Sequence, residues 1–394
     1  LWGLIIGLVL GIGALVRPNL LPVPVLLVPW AAWVAVRRGL WKKGLVSILL
    51  LLIGMAAMVS ITAVRNWRVA HEFYLVSANA EITLYIGNNP EADGFTTANR
   101  ELGDWSTFDY PRIVRRMAAL HDFNPTFHDA AAYFRSRALQ FMREHPGEAL
   151  ALAGRKALLY FGPKEVANQK EDECDRQNSR ILKYLPGRFS LVLALALAGS
   201  LLLVVRRNST PLPAMQKHML AFTWLFILLY AATFILYVVA GRYRVPLVPL
   251  LMLVAAPGLC EWVRLAWSRQ FREAGAWLCV AVFLYFLVSI NAGGYVEHPF
   301  VPHYHRADIY LETGRWDRAE QECRKALAIE PHCYQARILL ADLLGRQGRH
   351  RAAAHELFKV IQDAPHYAPA HAMLAHQLFL LGDQEGALEH YLAV

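Results

Sequence analysis

Seven stretches of nearly unbroken apolar residues punctuate the chain, at 1–16, 20–36, 44–64, 189–205, 218–240, 245–263 and 275–291. A helix needs about 20 apolar residues to cross a hydrocarbon layer about 30 Å thick, so the pattern predicts roughly seven membrane spans, several of them short. Between the third and fourth spans lies a polar insert, 65–188, too long for an unstructured connection and therefore expected to fold as a small domain. Its pattern is mixed. Ile82-Thr83-Leu84-Tyr85-Ile86 reads as a short strand closed by the turn Gly87-Asn88-Asn89-Pro90, whereas 126–160 carries helical periodicity broken at Pro146-Gly147.

Beyond a linker at 293–302 the pattern changes again, because residues recur at a spacing of 34. Ala307, Ala341 and Ala375 align, as do Gly314, Gly348 and Gly382, then Ala319, Ala353 and Ala387, and Pro331 with Pro365. Small residues let paired helices approach, glycine permits the tight turn between them, and proline ends the second helix. Residues 303–394 thus resemble a tetratricopeptide array with its third copy incomplete, and further copies are expected to follow. Such arrays bind or space proteins, so a protein partner on the repeat face is implied. The expected fold is mainly α: helices 1–64 and 189–292 forming a polytopic membrane bundle, a mixed but mostly helical insert at 65–188, and a repeat solenoid at the C-terminus.

Composition narrows the class. Of 394 residues, 56% are hydrophobic and only 18% charged, which excludes an ordinary soluble enzyme and a disordered chain. The net charge of +9 would fit a nucleic-acid partner if it were spread over one face. Instead it sits in three short loops: Arg37, Arg38, Lys42 and Lys43; Arg206, Arg207 and Lys217; Arg264, Arg269 and Arg272. The insert is nearly balanced, with 17 basic and 16 acidic residues, and 303–394 is slightly acidic. Lys and Arg are retained on the cytoplasmic side during insertion, so the three loops face the cytoplasm and no nucleic acid is expected as a partner. Alternation then puts the turns at Arg17 and Arg242, the insert 65–188 and the repeats 303–394 on the extracytoplasmic side.

Five cysteines lack any Cys-x-x-Cys spacing; an oxidising compartment would allow Cys323 and Cys333 to pair, but they read better as unpaired structural thiols. Nine of 15 histidines lie in the repeats, but His366, His371 and His376 are five apart, which does not stack ligands on one helical face. No metal is expected.

Three arginines occupy outer turns, where anchoring positive charge is disfavoured: Arg17 in Arg17-Pro18-Asn19, and Arg242 and Arg244 in Gly241-Arg242-Tyr243-Arg244-Val245-Pro246. Guanidinium forks suit phosphate oxygens; equally, such residues snorkel to lipid headgroups or pair with carboxylates of the insert. Asp93, Asp104, Asp109 and Glu165 offer no spacing that implies a general acid and base pair.

Taken in order, Leu15-Val16-Arg17-Pro18-Asn19, then Tyr85-Ile86-Gly87-Asn88-Asn89-Pro90 with Gly94, then Arg242-Tyr243-Arg244-Val245-Pro246, resemble bacterial membrane glycosyltransferases related to the dolichyl-phosphate-mannose protein mannosyltransferases and the lipid A aminoarabinose transferase. The chain looks like the C-terminal two-thirds of such a protein, joined to tetratricopeptide repeats. The resemblance implies the C-type glycosyltransferase fold in the cytoplasmic (inner) membrane. It implies transfer of a sugar from a polyprenyl-phosphate donor, with no separate cofactor, to an extracytoplasmic acceptor. Arg17, Arg242 and Arg244 would then hold the donor phosphate, and Asn88 and Asn89 would line a possible substrate loop, unless Asn-Asn-Pro is only a turn. The relatives' catalytic acidic residue lies in a first outer loop that would precede Leu1, so the catalytic residue is unknown here and the fragment alone is expected to be inactive. Relatives usually carry glycines before this loop where the chain has Ala80-Glu81, which leaves substrate choice open. Two rivals remain: a non-enzymatic membrane scaffold for the repeats, and a protein like an O-antigen ligase or polymerase.

Overall fold

A computed structural model of the chain describes residues 1–77, 79–95, 110–166, 189–206, 213–295, 299–365 and 367–393. Contacts separate these into two units, one formed by the described residues up to 295 and one by 299–393. Among the described residues there is no strand.

The first unit opens with three apolar helices: α1 (Trp2–Val16), α2 (Val23–Arg37) and α3 (Trp41–Ala70). Glycines spaced four apart dictate how α1 and α3 pack. A Cβ added at Gly3 or Gly7 would lie 2.1 Å from the carbonyl oxygen of Ser47 or Leu51, and one at Gly54 would lie 2.7 Å from that of Leu4. The two backbones touch, a close approach that small residues allow between helices in lipid, where no hydrophobic force drives association.

The second apolar group comprises α8 (Phe189–Val205), α9 (Ala214–Ile235), α10 (Leu247–Trp267) and α11 (Phe271–Val288). Here α8 and α10 meet at Gly199 and Gly258, where an added Cβ on Gly258 would fall 2.1 Å from the Gly199 Cα. At one end of these helices Glu261, 7% exposed, receives Arg206 at 3.1 Å and a two-pronged contact from Arg264 at 2.9 Å; Arg206 also pairs with Glu273 of α11. Guanidinium groups of Arg37 and Lys42's ammonium lie over Trp33 and Trp41, at 5.7 and 5.5 Å. Aromatic and basic residues together suit a membrane–water boundary.

By length and composition, five helical segments can cross a membrane: Pro18–Arg37, Trp41–Val69, Ala214–Ile235, Leu247–Trp267 and Phe271–Val288. Trp2–Val16 and Phe189–Val205 are apolar but shorter. Large apolar side chains point outward along these helices, among them Val9, Ile53, Leu253 and Phe283. In water such a surface would be an association hazard; against lipid it is a solvated one.

The insert contributes α4 (Ala80–Gly87), α5 (Tyr110–His121), α6 (Phe127–Glu144) and α7 (Pro146–Phe161). The strand expected over 82–86 is therefore wrong: those residues are the body of α4. Ile82, Tyr85 and Ile86 stand at i, i+3 and i+4, so they form one helical stripe, and they are buried with Phe134 of α6 in one core. That packing overrides their strand propensity. Thr126 caps α6 by accepting from Asp129 N at 3.1 Å, and Glu72 accepts from Phe127 N and His128 N, placing a carboxylate at the positive end of the helix. The break between α6 and α7 falls at His145, with Pro146 at the first helical position, where its missing N–H costs nothing.

The second unit is three helix pairs: α12 (Val301–Glu312) with α13 (Trp316–Ile329), α14 (Tyr334–Arg346) with α15 (His350–Asp363), and α16 (Ala368–Leu380) with α17 (Gln384–Leu392). The repeating alanines sit at the closest contacts: Ala307, Ala341, Ala353 and Ala375 are fully buried. Gly314, Gly348 and Gly382 have φ of 70, 77 and 87°, the left-handed conformation that glycine adopts without strain, and each ends a pair's first helix. Cys323 and Cys333 are buried free thiols, and burial pushes that of Cys323 up to about 12.

Candidate functional site

The sequence pattern carries the fifth apolar segment to residue 240, but α9 ends at Ile235. Residues 236–240 leave the helix because the insert takes up their backbone groups. Val239 N donates to the Gly94 carbonyl at 3.1 Å, Gly241 N to that of Val166 at 2.8 Å, and the Leu236 carbonyl accepts from Asn88 Nδ2 at 2.7 Å. A single turn of 3-10 helix, Gly241–Tyr243, follows and leads into α10.

This turn gathers the arginines. Asn19 Nδ2 donates to Thr233 Oγ1 at 3.1 Å, docking the Arg17 turn beside the end of α9. Arg17 then lies 6.0 Å from the Tyr243 ring centroid and Arg242 5.2 Å from it, although 225 residues separate them. Arg17 is half-buried and Arg242 exposed. Arg17 has no carboxylate partner among the described residues; the groups its charge reaches are the Tyr160 and Tyr230 hydroxyls. The Tyr243 ring stacks on Phe234 at 4.5 Å, and its carbonyl accepts from the Tyr160 hydroxyl at 3.2 Å. Burial and the neighbouring Tyr230 raise the Tyr160 hydroxyl, outweighing Arg244 and Arg17, so it stays a donor.

Arg244 is placed differently. Only 3% exposed, it donates through Nη1 to the Gly162 carbonyl at 2.7 Å and through Nη2 to that of Lys164 at 2.9 Å. Glu165 lies 3.6 Å from Nη2, and the Phe189 ring 4.7 Å from the guanidinium carbon. It clamps the end of α7 to the start of α10.

Asn88 and Asn89 are buried, and both amide hydrogens of each are engaged. Asn88 Nδ2 bonds the Leu84 and Leu236 carbonyls, Asn89 Nδ2 those of Tyr85 and Ile86, and Asn89 Oδ1 accepts from Glu91 N. In this conformation neither offers a donor to a ligand. Asn88 Oδ1 accepts from Lys156, a residue that no motif or spacing singles out. Lys156 is fully buried, and its ammonium also donates to the Gly87 carbonyl at 2.5 Å and meets no carboxylate among the described residues. Burial pushes it down to about 8. Only its place on α7, four residues before Tyr160 on the face turned to the core, could have signalled it.

In the repeat unit, charge recurs with the fold. His303 and Arg306 of α12 and Lys325 all meet Glu322 of α13, at 2.7, 2.9 and 2.7 Å. One period on, Arg337 and Lys359 meet Glu356 at 2.9 and 2.8 Å. Burial opposes ionisation of Glu322, but hydrogen bonds from Lys325, His303 and Arg306 outweigh it and bring the carboxyl down to about 2. Among the described residues no group of three or more His, Cys, Asp and Glu is arranged to hold a metal.

Comparison with known proteins addresses the second unit. Residues 310–376 match the tetratricopeptide repeat family. No curated protein matches the chain. Among solved structures, the human IFIT1 dimer with PPP-AAAA is 13% identical, covering 79% of this chain and 76% of that one, with a TM-score of 0.25. The match at 310–376 agrees with the period of 34 and suggests a protein-interaction repeat.

Proposed function

We propose that this chain is a membrane protein whose tetratricopeptide unit recruits a protein partner on the extracytoplasmic side. The repeat match at 310–376 carries this reading, and five helices long and apolar enough to cross a membrane support the anchor. The basic loops support that orientation, because Lys and Arg are retained in the cytoplasm. Single cysteines at Asn88, Asn208 and Gln347, in a variant lacking the native five, test it. A membrane-impermeant thiol reagent should label the denatured control at all three positions, and intact cells at Gln347 but not Asn208. Labelling from outside at Asn208 alone would overturn the orientation.

A second reading is favoured by the pairing of Arg17 and Arg242 at Tyr243. Both guanidinium groups lie at one ring, and their planar forks suit the oxygens of a polyprenyl phosphate at the membrane surface. Arg17 and Arg242 would hold the phosphate of a sugar donor, and Arg244 would position their turn. On this reading the bundle serves sugar transfer to an extracytoplasmic acceptor, with the partner of the repeats delivering it. Binding of undecaprenyl phosphate to purified protein in detergent should weaken at least tenfold in the Arg17→Gln/Arg242→Gln variant. Unchanged binding would leave the scaffold reading alone standing.

A further inference from the structure

The charge ladder of the repeats breaks at its third step. Positions 303, 337 and 371 are one period apart, as are 322, 356 and 390. In the first two pairs a side chain of the first helix, His303 or Arg337, meets a glutamate of the second. In the third, His371 Nδ1 lies 3.0 Å from His390 Nδ1. The rest of the node is conserved in geometry: Arg337 donates to the Pro331 carbonyl, and His371 Nε2 stands 2.9 Å from the Pro365 carbonyl.

That last contact settles the protons. A carbonyl only accepts, so His371 carries its hydrogen on Nε2, and in the neutral ring its Nδ1 is a lone pair. His390 must therefore donate from Nδ1. The bond survives with no added proton, and also with one added at His390 Nε2. It fails with two, because both Nδ1 atoms then bear hydrogens and both rings are cations.

Among the described residues no carboxylate is hydrogen-bonded or ion-paired to either ring. His371 is 7% exposed, and the polar and aromatic partners of the two rings are each other, the Pro365 carbonyl and the Phe358 ring, 5.9 Å from His390. On α15, His350 bonds Gln377, Glu356 is held by Arg337 and Lys359, and Asp363 faces His332, while Arg351 and His355 bond neither ring. On α14, Asp342 pairs with Arg346. On α16 and α17, His376, Glu385 and Glu389 bond neither ring, and Asp383 caps α17.

We propose that the His371–His390 seam makes the third repeat an acid-sensitive element, which opens between α16 and α17 while the first two pairs stay closed. The closed seam holds one proton fewer than two separated imidazoles, and acid favours whichever state binds more protons. The partner surface would then be whole at neutral pH and lose its third segment in an acidic compartment.

Amide hydrogen exchange on the full chain in detergent tests this, at pH 7.5 and 5.5 after correction for intrinsic rates. In the wild type, peptides within 368–392 should lose protection at least tenfold more than those within 334–363. His390→Glu places a carboxylate where Glu322 and Glu356 stand, and should keep or gain protection at pH 5.5. His371→Arg/His390→Glu copies the second pair outright and should behave likewise if the single variant folds poorly. Equal protection of 368–392 at both pH values, equal loss in both pairs, or loss in the double variant matching the wild type would overturn the proposal.

Discussion

The two units close their cores by opposite means. In the first, α1 meets α3 and α8 meets α10 through glycine, backbone against backbone, at contacts between residues far apart in sequence. In the second, fully buried alanines lie between helices that are neighbours in the chain, and a contact to a glutamate at the equivalent position recurs one period on. The first is a set of unique contacts and the second one contact copied. A lesion in the first should therefore spread through the bundle, and one in the second should stay within a pair and its neighbours.

The most damaging change should be Gly7→Leu, which has no room beside the Leu51 carbonyl. A cost of about 3 kcal/mol or more is expected, seen as loss of monodisperse protein on size exclusion, with hydrogen exchange in 334–363 unaltered. Exchange rising in the repeats as well would break the contrast.

Next comes pH. Lys156 falls to about 8 in the folded chain from an ordinary value near 10.5. Between those values the unfolded chain binds the extra proton, so the first unit should gain stability as pH rises through 8 to 10.5, by about 3 kcal/mol in all. Below pH 8 the burial penalty is constant. Denaturant unfolding at a series of pH values should show this slope in the wild type and not in Lys156→Met; identical slopes would discredit the lysine as its source.

Glu322→Gln should cost the first repeat about 2 kcal/mol at pH 7, because Arg306, Lys325 and His303 lose the carboxylate they bond. The Glu322 carboxyl is depressed to about 2, so its contribution is complete above about 4.5 and fades as pH falls toward 2. Wild type and variant should converge there, as read by exchange in 301–329. Smallest should be Arg242→Gln, whose exposed side chain leaves stability within about 0.5 kcal/mol; its expected effect is on phosphate-lipid binding, and a large shift in melting temperature would make it structural instead.

What the sequence revealed follows the same division. The repeat was legible because each buried alanine and each left-handed glycine answers a local need that recurs every 34 residues. The helices of the bundle were legible from apolar length, but their glycine contacts were not, since spacing on one helix does not name its partner. Ile82, Tyr85 and Ile86 fit either period, and only Phe134, far along the chain, decided for helix. The arginines at 17 and 242 were recognisable as cations in unusual places; their meeting at Tyr243, the burial of Arg244 and the very existence of the Lys156 node depend on contacts across 69 to 226 residues.

One of those contacts also sets a clock. Asn88 waits for the Leu236 carbonyl, 148 residues downstream, and synthesis proceeds at roughly 5–20 residues per second. For about 7 to 30 s after Asn88 is made, its amide lacks the carbonyl that completes its bonding, although Lys156 can already hold the Gly87 carbonyl. Stalling of synthesis before residue 236 should prolong that interval.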